Sequence, residues 1–157
     1  MKLNGKRPGI HVEPIVLPRP DGDIVMMARA IGDFDNFDKL CPPPQPPRRR
    51  MADGTEITNV EDSNYKKAVE AFGQKRVAYM VIKGLADGTE DLEWEEVKLD
   101  DHLTWPNFRK ELIESGLSDV EVNRVVAGVM RANCLSEAAL DEARKRFLAG
   151  KQAPPSE

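Results

Sequence analysis

One long helical pattern, from Asp62 to Leu85, dominates the distribution of apolar and polar residues along the chain. Its first half has apolar residues at helical spacing, and its second half is apolar on every side. The charged segment before the apolar run favours a helix that continues into it over a buried strand. Asp62 or Ser63 can accept hydrogen bonds from the first free backbone N–H groups, and Gly84 or Gly88 offers a left-handed position at which the helix can stop.

Two shorter helices follow, and each has its own start signal. Thr104 is the predicted N-cap of the first, which has Pro106 in its first turn and Gly116 at its end. The second helix begins with a capping box at residues 118–121, and its apolar face predicts an end near Asn133.

A last helix is predicted from Ser136, its N-cap, to Gly150, and residues 150–157 are expected to form a frayed tail. Four helices joined by short loops predict a compact body at residues 62–149. The predicted fold class is therefore mainly α. It has a four-helix C-terminal body, preceded by an extended, proline-rich N-terminal arm that contains a β-hairpin.

The arm, residues 1–47, holds nine of the twelve prolines, which excludes a regular helical domain there. Two apolar runs, residues 10–17 and 24–31, flank a Pro-Asp-Gly turn and predict the hairpin. Pro14 makes the first run an edge strand. Because a two-stranded hairpin alone is marginal in water, this one needs the body of the chain or another subunit to lie against.

A short amphipathic helix is predicted at the end of the arm. Phe34, Phe37 and Leu40 lie three residues apart, and the proline run after Cys41 ends the pattern. Two interpretations stay open at this point. The helix either packs on its own domain or anchors a partner in a helix-in-groove contact.

The segment CPPPQPPRRR predicts a stiff polyproline II spacer between the arm and the body. A PxxP pattern could also dock in an SH3-like groove, but the pattern is short and common, so a linker is favoured. The three arginines at 48–50 are expected to be solvated or paired with acids of a neighbouring subunit. Residues 48–61 as a whole are expected to form an irregular linker.

Length and composition predict one ordinary domain with extensions, since the chain has 157 residues, of which 40 % are apolar and 32 % charged. Residues 1–50 carry a net charge of +3 and the remainder carries −7. Because phosphate binding needs a basic surface, this acidic body argues against nucleic acid as the main partner. No apolar run approaches the roughly 20 residues of a membrane span, and no signal peptide is expected.

Residues that usually carry catalysis or bind metals are few and far apart. His11 and His102 are the only histidines, and neither lies at metal-ligand spacing from a cysteine. Cys41 and Cys134 are expected to be free thiols in a reducing compartment. The acidic segment 87–101 lacks the pattern of an EF-hand loop, so a solvated loop is favoured over a calcium site. No enzymatic activity, cofactor or metal is expected, and a small enzyme of unknown type is the distant alternative.

Several segments of the C-terminal part are similar to proteins encoded among the tail genes of long-tailed bacteriophages, which are described as tail assembly chaperone-like. The resemblance spans about residues 51–148 and rests on Leu92-Glu93-Trp94, Thr104-Trp105-Pro106, Gly116-Leu117-Ser118 and Ala143-Arg144 with Phe147-Leu148. None of these segments is a catalytic signature. The resemblance implies a non-enzymatic partner of tail-tube or tape-measure protein, and it assigns no functional residue.

The expected function is a bacteriophage assembly or structural protein that acts in the host cytoplasm during assembly. In the first version it is a tail assembly chaperone. In the alternative it is a minor virion protein, retained in the mature particle, whose arm laces onto neighbouring subunits. The choice of partner and self-association stay open.

The arm is the expected attachment device, because it carries more apolar side chains than a solvated tail would. The rival hypothesis is that the hairpin folds back on the helices of its own chain. The predicted partner-binding residues are Ile10, Val12, Ile15, Val16, Leu17, Ile24, Val25, Met26, Phe34, Phe37 and Leu40.

Overall fold

The central helix begins at Asp62, whose side chain accepts a hydrogen bond from the Tyr65 backbone N–H at 2.8 Å, and this confirms the predicted start. The computed structural model describes residues 1–133 and 137–152. This part of the chain forms four short strands, five α-helices and one 3-10 turn. They are β1 Val12–Leu17, β2 Ile24–Arg29, α1 Asp35–Leu40, β3 Arg48–Arg50, β4 Glu56–Thr58, α2 Ser63–Gly88, the 3-10 turn Trp105–Asn107, α3 Phe108–Glu114, α4 Asp119–Ala132 and α5 Glu137–Gln152.

The predicted N-terminal hairpin is confirmed. Strands β1 and β2 pair antiparallel along their whole length, with Val12 opposite Arg29 and Leu17 opposite Ile24. The register continues for one more pair, where the Ala30 backbone N–H donates to the His11 carbonyl oxygen at 2.9 Å. Successive side chains therefore alternate between an inner face and an outer face of this two-stranded sheet.

The segment expected to be an irregular linker contains a second, shorter hairpin formed by β3 and β4. Its turn is built by Asp53 and Gly54, because Gly54 adopts a φ of 85° that other residues avoid. The Asp53 carboxylate also accepts a hydrogen bond from the Thr55 backbone N–H at 3.0 Å. Every residue of these two strands is exposed, so this hairpin stands outside the core.

The core forms where the inner face of the N-terminal hairpin packs against α2 and α4. Four inner side chains of the hairpin are at most 7 % exposed, and the apolar second half of α2 and the apolar face of α4 cover them. The core members from the hairpin are Ile15, Leu17, Met26 and Ala28, and those that meet them from α2 and α4 include Met80, Ile82, Leu85, Val122, Val125 and Val129. The hairpin is therefore part of the folded domain, as the rival hypothesis stated.

Three helical glycines allow this close packing. A Cβ atom on Gly88 would lie 2.2 Å from the Met27 carbonyl oxygen, and one on Gly84 would lie 3.0 Å from the backbone of the same strand. On α4, a Cβ atom on Gly128 would lie 2.4 Å from Cγ1 of Ile15. Of the two glycines predicted as possible stops, Gly88 is the last residue of α2, although it is not left-handed, and Gly84 makes room for β2 instead.

Helix α1 closes one side of the core with an aromatic cluster. Phe37 is fully buried, and its ring centroid lies 5.3 Å from that of Phe72, 5.4 Å from that of Tyr79 and 5.8 Å from that of Trp105. Such contacts combine a large buried apolar area with favourable ring geometry. Of the two interpretations left open for this helix, the structure supports packing on its own domain.

The acidic loop before α3 is held by one carboxylate of that helix. Glu111 accepts hydrogen bonds from the backbone N–H groups of Glu95, Glu96 and Val97, the last at 3.0 Å. Thr104 has no capping bond to α3, contrary to the prediction. A 3-10 turn precedes the helix, and the Thr104 hydroxyl binds back to the loop instead. The predicted capping box of α4 is confirmed, with reciprocal bonds between Ser118 and Glu121.

The expected four-helix body is only partly formed among the described residues. Helices α2, α3 and α4 pack together, but α5 packs along none of the other helices or strands over an extended surface. Gly150 does not stop α5, which continues to Gln152. The N-terminal hairpin packs against α2 and α4. The predicted cap Ser136, the thiol Cys134 and the tail from residue 153 lie outside the described residues.

Candidate partner-binding surface

The inner residues of the hairpin and the central residue of α1 are buried, so they are not accessible to a partner protein. Ile15, Leu17, Met26 and Phe37 were predicted to bind a partner, but they are at most 7 % exposed in the core of their own chain. The alternation of strand side chains made half of each apolar run available for this packing. In this fold these four side chains are therefore not accessible to another protein.

Three further predicted residues, Ile24, Phe34 and Leu40, are half-buried against the same core. The Arg76 guanidinium lies over the ring of Phe34, 4.1 Å from its centroid. This contact is a cation–π interaction between α2 and the segment that leads into α1. These residues line the edge of the core and offer a partner only part of their surface.

The outer face of the hairpin is accessible and largely apolar, with the exposed Arg29 opposite Val12. Val12, Val16 and Val25 are 38 %, 49 % and 54 % exposed, and Pro14 lies between the first two on the same side of β1. Ile10, just before the strand, is 46 % exposed. We call Ile10, Val12, Pro14, Val16 and Val25 the outer sheet face. It is an apolar surface that the fold leaves open, as partner-binding sites are.

The edges of the hairpin are less suited to binding than its face. On β2, the Thr89 hydroxyl accepts from the Met27 backbone N–H at 2.9 Å and donates to the Met27 carbonyl oxygen at 3.0 Å. Beyond the strand, Asn133 Oδ1 accepts from the Ile31 N–H at 2.9 Å. On β1, Pro14 supplies no backbone donor. These features disfavour the addition of a partner strand at either edge of the hairpin.

Two ion pairs fix the hairpin to α4. Glu13 accepts from Arg131 at 3.2 Å, and Glu121 accepts from Arg19 at 2.9 Å. The backbone N–H of Ser118, the Arg19 guanidinium and the Ser118 hydroxyl together lower the pKa of Glu121 from 4.5 to about 2. The outer sheet face therefore lies on a hairpin that two ion pairs hold against α4, and no sequence pattern predicts such long-range pairs.

Two cavities lie along the middle of α2, at residues 71–80, and both are lined by Gly73 and Val77. Their volumes are about 270 Å³ and about 650 Å³. We call them together the α2 groove. The larger one is floored by Val77, Phe108 and Val126, and the smaller one ends at Asn133. The hydrophobic pattern did not reveal this groove, because the residues that form it come from three separate helices.

Groups with reactive chemistry are dispersed in the structure. His11 lies 3.3 Å from the Glu13 carboxylate, and His102 lies 3.1 Å from the Lys75 amine. Cys41 is buried in the core. Within residues 1–133 and 137–152, no three histidine, cysteine or acidic side chains come together in a way that could hold a metal ion.

No protein-family model matches the chain, and comparisons with curated proteins and with solved structures also find no significant match. None of the helices described for this chain has the length and apolar character needed to cross a membrane. Any functional conclusion therefore depends on the surfaces described above and on the resemblance of the C-terminal segments.

Proposed function

We propose that this chain is a non-enzymatic bacteriophage assembly protein, of the tail assembly chaperone type, that binds another phage protein through its outer sheet face. The observation that carries the proposal is the exposure of Val12, Val16 and Val25 on a hairpin whose other face is the core of the domain. The resemblance of the C-terminal segments to tail-gene products supplies the expected class of partner.

The energetics favour binding through this face. Burial of a valine side chain contributes about 1.5–3 kcal/mol, so three such residues can supply a substantial part of the free energy of a specific contact. Since the hairpin is already ordered by its core packing, little conformational entropy is lost when a partner binds. A flexible arm would have to be ordered at the same time, at about 1–2 kcal/mol per residue.

The partner surface should be apolar and extended over roughly the length of one hairpin. We expect a tail-tube or tape-measure segment to have this character before its incorporation into the tail, because its assembly surfaces are then not yet covered. A chaperone with an apolar face would cover such a segment until assembly.

The test is binding of the purified chain to the tail-tube and tape-measure proteins encoded with it, measured by isothermal titration calorimetry. The double variant Val16→Lys/Val25→Lys should weaken binding at least about tenfold, since a tenfold change corresponds to about 1.4 kcal/mol. The matched control is Val60→Lys/Val120→Lys, which places the same charges at valines that are 52 % and 63 % exposed elsewhere. Equal binding by both variants would remove the outer sheet face from the proposal.

The alternative, a minor virion protein, differs in what happens after assembly. Mass spectrometry of purified particles distinguishes the two versions. A chaperone should be absent from mature particles, whereas a structural subunit should be present at fixed stoichiometry. Failure to bind any tail or virion protein would contradict both versions.

A further inference from the structure

We propose that Asn4 is a site of spontaneous deamidation in the folded chain, at which the Asn4-Gly5 dipeptide is converted to isoaspartate and aspartate. The inference is independent of the proposed phage function, because it concerns the covalent chemistry of the chain itself. It rests on the residue types at positions 4 and 5 and on the open geometry of the turn that contains them.

The reaction needs only two adjacent residues and water. The backbone nitrogen of Gly5, after loss of its proton to solvent, attacks the Cγ carbon of the Asn4 side chain. The new N–Cγ bond closes a succinimide ring, and the side-chain nitrogen takes up a proton and leaves as ammonia. Water then opens the ring. Cleavage of the N–Cγ bond gives aspartate, and cleavage of the bond from the nitrogen to the main-chain carbonyl carbon of Asn4 gives isoaspartate.

Gly5 provides an unhindered attacking nitrogen. Any side chain on the residue that follows an asparagine stands beside this nitrogen, and glycine has none. Asn4 and Gly5 are both exposed, and a Cβ atom on Gly5 would meet nothing within 4 Å. Among the hydrogen bonds of the described residues, none has the Gly5 backbone N–H as its donor. Its proton can therefore be lost to solvent, as the first step requires.

The turn at residues 3–6 holds the dipeptide loosely. Asn4 and Gly5 have φ values of 50° and 77°, both positive, as in a type I′ turn, and two backbone hydrogen bonds of 2.8 Å and 3.0 Å join Leu3 and Lys6. In the left-handed conformation of Asn4 the next nitrogen points away from Cβ, so the ring closes only after the turn opens. Because the turn is secured by a single bridge and small isolated pairings are marginal in water, we expect frequent opening.

The other asparagines of the described residues lack this combination. Each is followed by a residue larger than glycine, and several have a backbone fixed in a helix or a side chain fixed by hydrogen bonds. Asn133 Oδ1, for example, accepts from the Ile31 N–H at 2.9 Å. Asn59 is the best internal reference, because it is exposed and lies outside the helices but precedes Val60. The full set is Asn36, Asn59, Asn64, Asn107, Asn123 and Asn133.

The turn at Asp53-Gly54 shows why the amide matters. It is also exposed, and Gly54 also has a positive φ, of 85°. Its side chain, however, is a carboxylate that accepts hydrogen bonds from the hydroxyl and the backbone N–H of Thr55, which lower the pKa of Asp53. An ionised carboxylate resists attack by a nucleophile, so ring closure there should be much slower than at Asn4.

The conversion changes the arm in two ways. It replaces a neutral amide with a carboxylate, so the net charge of residues 1–50, which is +3, falls by one. Isoaspartate also carries the main chain through Cβ and Cγ, which adds one carbon atom between Leu3 and Lys6. A two-residue turn does not accommodate the longer backbone while it keeps both hydrogen bonds, so we expect the bridge between Leu3 and Lys6 to open.

The first experiment incubates the purified full chain in neutral and mildly alkaline buffers. Top-down mass spectrometry with electron-transfer fragmentation locates the added mass and distinguishes isoaspartate from aspartate. We expect Asn4 to convert at least about tenfold faster than Asn59, with isoaspartate as the main product. The rate should rise with hydroxide concentration, because the attacking nitrogen must lose its proton. Equal rates at the two asparagines, or an unmodified Asn4 in the folded chain, would overturn the proposal.

The second experiment compares two glycine variants. Gly5→Ala should slow the conversion at least about tenfold, although alanine disfavours the positive φ and so opens the turn. Slower reaction therefore reports on the attacking nitrogen. The matched control is Gly9→Ala, at an exposed glycine where a Cβ atom also meets nothing within 4 Å, and it should leave the rate unchanged. Equal rates in the two variants would contradict the proposal, and so would conversion of the wild type only in guanidinium chloride, since the turn would then protect Asn4.

Discussion

The guanidinium of Arg19 holds the carboxylate of Glu121 through two hydrogen bonds, from Nε to Oε1 at 3.1 Å and from Nη2 to Oε2 at 2.9 Å. The same Nη2 donates to the carbonyl oxygen of Gly116 at 2.9 Å. Because Glu121 also completes the capping box with Ser118, one carboxylate joins the loop of the N-terminal hairpin to the start of α4.

Glu121 should make stability depend on pH in the acidic range. Its pKa in the folded chain, about 2, lies below the ordinary value of 4.5, so folding favours the ionised form. The stabilisation is complete above pH 4.5 and is lost as the pH falls towards about 2. Glu121→Gln should flatten this part of the profile in urea unfolding followed from neutral to acidic pH. Arg19→Gln should flatten it partly, and an unchanged slope in both variants would contradict the assignment.

Two glycines of α2 should respond in opposite directions to the same substitution. Gly88→Ala forces a Cβ atom against the Met27 carbonyl oxygen, and we expect a loss of about 1–3 kcal/mol in the free energy of unfolding. Gly73→Ala meets no neighbour and should gain about 1 kcal/mol from helix propensity. Denaturant unfolding of both variants checks the pair. A stabilised Gly88→Ala chain would show that β2 does not seat on α2.

Phe37 should be a core residue in stability measurements, although it belongs to the proline-rich arm. Phe37→Ala should cost about 3–5 kcal/mol, because the ring is fully buried among Phe72, Tyr79 and Trp105. Leu40→Ala, at a half-buried position of the same helix, should cost clearly less. Thermal and denaturant unfolding measure both. If deletion of residues 1–47 left the melting temperature unchanged, the arm would not be part of the core.

The acidic loop should loosen when its single carboxylate anchor is removed. Glu111→Ala deprives three backbone N–H groups of their acceptor, which should cost about 1–3 kcal/mol and speed amide hydrogen exchange at Glu95, Glu96 and Val97. Glu114→Ala, which removes only an exposed ion pair with Lys110, should change stability by less than about 0.5 kcal/mol. Slow exchange at 95–97 in the Glu111→Ala chain would show that other contacts order the loop.

Features decided by neighbouring residues were predictable from the sequence. The cap at Asp62, the capping box at 118–121 and the hairpin turn all depend on residues within a few positions, and all three are present. The role of the helical glycines could not be predicted, because glycine is favoured both at the end of a helix and where another segment approaches the helix closely. Only the position of β2 in the structure shows that Gly84 allows the close approach of a strand.

The candidate surface was only half predictable. Both apolar runs of the arm were identified, but alternation alone does not say which face of a strand finds a core. The face that contains Ile15 packs on α4 at Gly128, whereas the face that contains Val16 is exposed to solvent. The α2 groove was missed for a different reason, since Val77, Phe108 and Val126 come together only after the helices pack.

The separation of 102 residues between Arg19 and Glu121 has a consequence during synthesis. The hairpin leaves the ribosome about 5–20 s before α4, one of the two helices it packs against, at a synthesis rate of about 5–20 residues per second. During this interval Ile15 has no α4 surface to pack on, and the nascent strands are more exposed to other apolar chains than in the finished fold. Pro14 then limits the pairing of the waiting strand with foreign strands, so a residue that shapes one edge of the mature sheet also protects the unfinished chain from aggregation.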